Sequence, residues 1–188
     1  MSWKQMRWLL LAGAAAAGIV LSTYQATSQP SRCPEIGTVA VIVVGMLVAT
    51  TTLHTLVTSM QVDWNQSGRL SAWCSTHRGR HLLVIALGAL MTAATLLLDI
   101  VLWAWAYRHV GAIHGLEESL YFSGITFTTV GYGDVLLMKC WRLLSVGEAI
   151  NGVLMAGWST AQLIFIVQRA MTLQFHPDGQ NSVGDFPS

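Results

Sequence analysis

Four apolar runs divide the chain, at residues 8–24, 36–60, 82–107 and 141–168. Each is long enough for a helix to cross a bilayer, which takes about 20 residues at about 1.5 Å rise per residue. A fifth apolar run, 116–128, is too short to span. Irregular or re-entrant backbone at membrane depth is tolerated only where protein covers it or where it lines a watery cavity, so 116–128 predicts a short helix dipping into a bundle. The first run differs from the others. It follows Lys4 and Arg7, is rich in Ala and Gly, and exits through the polar stretch 22–30. A cleaved secretory signal shares that outline, but no clean A-x-A site follows, and a retained span is the expectation.

Composition supports a membrane protein. Of 188 residues, 53% are hydrophobic and only 10% charged, where soluble domains carry about 25% charged residues. The net charge of +1 and the absence of a basic cluster give no face for nucleic acid. Three cysteines without tight spacing form neither a zinc motif nor a disulfide framework. No H-E-x-x-H, Walker loop, G-x-G-x-x-G or G-x-S-x-G string is present, and Gly157-Trp158-Ser159 is not a nucleophile elbow, so no enzyme activity is expected. The stretch after Arg169 is too short to fold alone, so no ligand-binding gating domain is expected.

The most specific chemistry lies directly after the short run, in Thr128-Thr129-Val130-Gly131-Tyr132-Gly133-Asp134. A cation that sheds its water in a narrow pore needs replacement oxygens, and backbone carbonyls supply them when consecutive residues turn them toward one axis. Ordinary strand or helix dihedrals cannot do this. Glycine can, since it enters left-handed backbone regions without a Cβ penalty. Gly131 and Gly133 alternate with Val130 and Tyr132, whose side chains would point away from the axis and pack.

This string resembles the selectivity filter of potassium channels. The stretch 120–127 before it is similar to the pore helix of two-span potassium channels. Trp141-Arg142-Leu143-Leu144, Glu148, Asn151-Gly152 and the run 157–161 resemble the inner helix of small bacterial members. The likeness covers about 82–168, and more weakly the second run. It implies an all-α membrane protein with an outer helix at 82–107, a pore helix at 116–128, a filter at 129–133 and an inner helix at 141–168. Residues 1–35 and 36–81 would add one or two spans with their loops, and 171–188 a short cytoplasmic tail. One filter per chain implies a homotetramer in the cell membrane, the inner membrane of a bacterium, in contact with lipid. The implied function is passive, potassium-selective conduction without an organic cofactor. A weakly selective cation channel and a non-conducting membrane subunit or sensor are the alternatives.

In this reading Thr129, Val130, Gly131, Tyr132 and Gly133 are the ion-binding residues of the filter, with K+ held at the first four. Thr128 and Thr129 face a central cavity, whose wall the resemblance assigns to Val153, Ala156 and Thr160. Glu117 and Glu118 open the pore helix, where acidic groups complement its dipole, and its C-terminal end would favour a cation in the cavity. The best-known bacterial pores carry a buried glutamate that pairs with the filter aspartate. Ile125 stands at that place here, so Asp134 needs another partner, Tyr121 or a neighbouring backbone group. Gly152 and Gly157 are hinge candidates, with close helix packing as the equal alternative for Gly152.

With the Asp134 end outside, Lys4, Arg7, Arg69, Arg78, Arg80 and Arg169 fall inside, and Arg32, Arg108, Lys139 and Arg142 outside. That is a modest positive-inside bias. Asp99 and Glu148 lie within spans, at a depth placing both in the outer third behind the filter. They are candidates for bracing it, or for being satisfied by a local Ser, Thr or Trp. His54, in the inner half of the second run, has no second ligand at helical spacing and is assigned no metal. No arginine recurs every third residue, so no voltage sensor is expected. Cys33 and Cys140 share the outer side, where a disulfide is conceivable, while Cys74 falls inside.

Overall fold

A computed structural model describes residues 34–65 and 79–175. The expectations for the first apolar run, for Cys33 and Cys74, and for the tail beyond 175 concern residues outside these. Cys140 is disulfide-bonded, and since the other two cysteines are Cys33 and Cys74, its partner is outside the described residues.

All regular structure among the described residues is helical. Helix α1 covers Ile36–Asn65, α2 Arg80–His109, α3 Leu116–Phe127 and α4 Arg142–Phe175, the last preceded by a 3-10 turn at Lys139–Trp141. Three of these elements are long and apolar enough to cross a membrane. The helices form where the apolar runs lie because a chain in hydrocarbon must satisfy each N–H and C=O within itself. Extended Gly115 (ψ 138°) starts α3, and Thr128 caps its end with its backbone N–H on Gly124 O. The α2–α3 connection turns through Gly111 at φ 69°.

The arrangement can be read from contact registers. Thr50 meets Asn151, Thr58 meets Trp158 and Gln61 meets Gln162, pairs separated by 101, 100 and 101 residues. A constant offset means that α1 and α4 run parallel. Between α2 and α4 the separation instead widens from Tyr107–Glu148 to Gly88–Ile166, so these two run antiparallel. Helix α3 sits in the angle between α2 and α4.

The apolar core lies at the α3 end of the bundle. Trp103, Tyr107, Phe122, Phe127, Trp141 and Leu144 form its centre, with Val39, Ile42 and Met46 of α1 on one side. Tyr107 meets Phe122 edge-on at 5.1 Å. Away from this core the helices are thinly covered. Only 28%, 28% and 33% of the most apolar windows of the three spans are buried within the chain. Leucines along α2 (Leu82, Leu83, Leu90, Leu97) face outward. The remaining apolar surface is left for lipid or other protein.

Three glycines set the closest approaches. A Cβ on Gly152 would overlap the Phe127 carbonyl at the end of α3. A Cβ on Gly147 would strike Val43 of α1, and one on Gly88 would strike Ile166. Small residues let membrane helices approach closely, where dispersion does the work that water does elsewhere. Of the two roles open to Gly152, close packing is therefore the one with a contact behind it, whereas Gly157 has open space around it in the chain. Gly152→Ala should lower the thermal stability of the detergent-solubilised protein, since forced overpacking costs about 1–3 kcal/mol. Gly157→Ala should be neutral or mildly stabilising. Equal losses in both would refute the close-approach explanation.

Candidate functional site

The segment after α3 has an unusual backbone. Thr129, Gly131 and Gly133 have positive φ values of 61°, 53° and 78°, and the intervening Val130 and Tyr132 do not. Alternating left- and right-handed residues turn successive peptide groups in a common direction, the geometry of backbone ion sites. Glycine accepts this without strain. Thr129 is the one non-glycine residue with positive φ among those described, and for a β-branched side chain this is a true outlier, costing about 1–3 kcal/mol. The sequence reading marked the two glycines and missed Thr129, because nothing in a threonine announces a left-handed backbone.

Short hydrogen bonds tie the segment to α3. Thr129 N–H donates to Thr126 O (2.9 Å) and Gly131 N–H to Ile125 O (3.0 Å). The Thr128 hydroxyl returns to Gly124 O at 2.6 Å, so it caps its own helix. Ile125 thus contributes a carbonyl to the segment rather than a carboxylate. At the far end the Tyr121 hydroxyl donates to Asp134 Oδ2 at 2.6 Å, and Asp134 Oδ1 accepts Val135 N–H at 3.1 Å. The tyrosine is the side chain named from the sequence as a partner for Asp134. Its hydrogen bond holds the Asp134 carboxyl below the ordinary aspartate value.

All residues from Thr128 to Asp134 are exposed. Val130 is 51% and Tyr132 74% exposed, so the single chain leaves these side chains bare. Val153, Ala156 and Thr160 of α4 are exposed too and recur at helical spacing on one stripe.

Glu148 of α4 ties α2 and α3 together. It is fully buried. Tyr107 of α2 donates its hydroxyl to Oε2 at 2.6 Å, and the Ser123 hydroxyl of α3 lies 2.5 Å from Oε1 and 2.9 Å from Ile100 O. Asp99 does not share this role. Its depth suggested the back of the filter, but its carboxylate instead lies 2.7 Å from His54 Nε2 on α1. Two antiparallel helices of different tilt and stagger cannot be aligned in depth by counting residues, and that counting put Asp99 and His54 in different halves of the membrane.

Glu148→Gln keeps an acceptor for Tyr107 and an N–H for Ser123, and should unfold close to wild type. Glu148→Leu strands the buried Tyr107 hydroxyl, which costs about 1–3 kcal/mol, and leaves Ser123 only the Ile100 carbonyl, so this variant should melt well below wild type. Indistinguishable melting of the two variants would show that Glu148 is not a hydrogen-bonded joint.

The comparisons with known proteins fall on these same elements. The family described as "Ion channel" matches residues 95–169. Protein LctB of Bacillus caldotenax and of Geobacillus stearothermophilus is 40% identical over 50 residues, covering 27% of this chain and 37% of the relative. The intermediate conductance calcium-activated potassium channel protein 4 of Rattus norvegicus is 33% identical over 100 residues, covering 53% of this chain and 21% of that protein. The match therefore spans little more than a third of the length of the curated relatives at best, 37%. No solved structure matches the chain. The family match takes in the end of α2, the short α3, the alternating segment and most of α4, and three helices among the described residues are able to cross a membrane. This protein is a multi-pass membrane protein whose residues 95–169 are similar to the ion channel family.

Proposed function

We propose that the chain is one subunit of a potassium-selective channel that lets K+ pass down its gradient. The observation that carries this reading is the alternation of backbone hand at Thr129, Gly131 and Gly133, within the string from Thr128 to Asp134. Such alternation lets Thr129, Val130, Gly131, Tyr132 and Gly133 offer carbonyl oxygens to one axis, in place of the water shell of K+. One relative's name as a potassium channel supports the choice of ion.

A ring of carbonyls needs several copies, and four around one axis is the arrangement that this filter type implies. The exposure of Val130 and Tyr132 favours it, since neighbouring copies would cover side chains that the single chain leaves bare. In the tetramer, Thr128 and Thr129 face the cavity below the filter, and Val153, Ala156 and Thr160 line its wall. The C-terminal end of α3 brings partial negative charge toward a dehydrated cation, while Glu117 and Glu118 favour the opposite end. Asp134 keeps its charge at the outer mouth and raises the local cation concentration.

The test is reconstitution of the purified full-length protein in liposomes with opposed K+ and Na+ gradients. The reversal potential should follow K+. A reversal midway between the two ions would indicate a weakly selective cation channel, and absence of flux a non-conducting subunit. Gly131→Ala places a Cβ on a left-handed residue, a cost of about 1–2 kcal/mol per copy, and should abolish selective flux while the assembled protein survives.

Asp134 supplies a pH prediction. A carboxyl held below its ordinary value stabilises its partner contact at all pH above that value and loses it only as pH falls through the lowered one. Wild type should therefore keep its current under mild external acidification. Tyr121→Phe removes the hydrogen bond, so Asp134 should protonate, and inward current should fall, at a higher external pH than in wild type.

A further inference from the structure

The filter does not explain α1. This helix is joined to α4 at three levels along its length. Asn151 Nδ2 donates to Thr50 Oγ1 at 3.0 Å, Trp158 Nε1 donates to Thr58 Oγ1 at 3.0 Å, and Gln162 donates to Gln61. Because the two helices run parallel, each contact resists the same motion, a slide or bend of α4 away from α1. The joints run from the level of Gly152, where α4 touches the end of α3, toward the opposite end of the helix.

Between the first two joints sits the pair of His54 and Asp99, which are 1% and 0% exposed. Trp158 of α4 covers it edge-on, with its ring 6.5 Å from that of His54. One side chain from each of α1, α2 and α4 thus meets at a single point. The pair as a unit holds one proton and no net charge, either as imidazolium with carboxylate or as imidazole with carboxylic acid. Taking up a second proton leaves an uncompensated positive charge among apolar helices, and losing the shared one leaves a negative charge. Ionisable groups at this depth are costly when unbalanced, and breaking a buried pair is strongly destabilising. Among the described residues, no other ionisable group faces the pair to offset such a charge. On α1, His54 is flanked by Thr50, Thr51, Thr55 and Thr58. On α4, Asn151 and Trp158 are neutral, and Glu148 is engaged by Tyr107 and Ser123. On α2, Asp99 is the one acid, with Thr95 and Trp103 a turn away on either side.

We propose that α1 is a clamp on the inner helix α4, and that His54 and Asp99 are positioning residues whose shared proton locks it. Gain or loss of that proton would change how often the pore opens, without changing the ion it selects. The proposal rests on the channel reading for its effect on current. The clamp itself does not, because helix–helix stability reports it separately.

Two measurements on the full-length protein test this. The first is the melting temperature in detergent from mildly acid to mildly alkaline pH. Wild type should be most stable in the middle and lose stability toward both ends. His54→Gln with Asp99→Asn keeps a hydrogen-bonding pair with no proton to gain or lose, and should flatten that profile. The second is single-channel recording in planar bilayers. Open probability should vary with pH in wild type and be flat in the double variant, at equal conductance and reversal potential. Trp158→Phe keeps the ring over His54 and removes the bond to Thr58. It should shift open probability by about threefold or more, the equilibrium effect of one interhelical hydrogen bond in a membrane. Matching melting profiles in wild type and double variant would overturn the proton lock. Matching open-probability profiles, or an unaltered Trp158→Phe, would overturn control of the pore. If wild type passes no K+ while the melting profiles differ as expected, the channel reading fails and the lock stands.

Discussion

The carboxyl of Glu148 joins three helices, taking Tyr107 from α2 and Ser123 from α3 onto its own helix α4. In water such a group would contribute little, since solvent competes for each hydrogen bond. Inside a bilayer a stranded polar group finds no water, so the few polar side chains must find one another. That requirement sets the register of helices whose apolar faces alone would slide past each other. It places Ser123 behind the filter segment, holds α3 in the angle between α2 and α4, and lets Gly152 come up against the Phe127 carbonyl.

The alternating segment 129–133 depends on this rigidity. Its backbone includes a threonine in a left-handed conformation, which persists only where the surroundings over-determine it. Bonds from Thr129 and Gly131 to the carbonyls of α3 hold the lower end, and Tyr121 with Asp134 holds the upper. The outward faces of Val130 and Tyr132 are not held by the chain itself. A single copy therefore contains a shaped but half-supported segment, and under the proposed channel reading neighbouring copies would supply the remaining support.

Helix α1 adds to the bundle formed by α2, α3 and α4. It is not a loosely attached addition but a third face of the bundle, parallel to α4 and engaged by polar side chains at three levels. Such contacts are individually modest in membranes. Several of them on one pair of helices nevertheless bind their movements together, and the buried His54–Asp99 pair adds a point where charge balance matters.

The linear order of residues was enough for the three described spans, the short α3, the left-handed glycines at 131 and 133 and the need of Asp134 for a partner such as Tyr121, because these are local properties. Apolar run length, glycine placement and a side chain thirteen residues away along one short helix and loop all survive in one dimension. The pairing of His54 with Asp99, the parallel register of α1 on α4 and the choice between hinge and packing at Gly152 did not. Each depends on the stagger and tilt of helices far apart in the chain, and depth estimated by counting residues even set Asp99 behind the filter. Thr129 lies between these cases: its neighbours' glycines announce the alternating backbone, but only the folded chain decides that a threonine bears the strain.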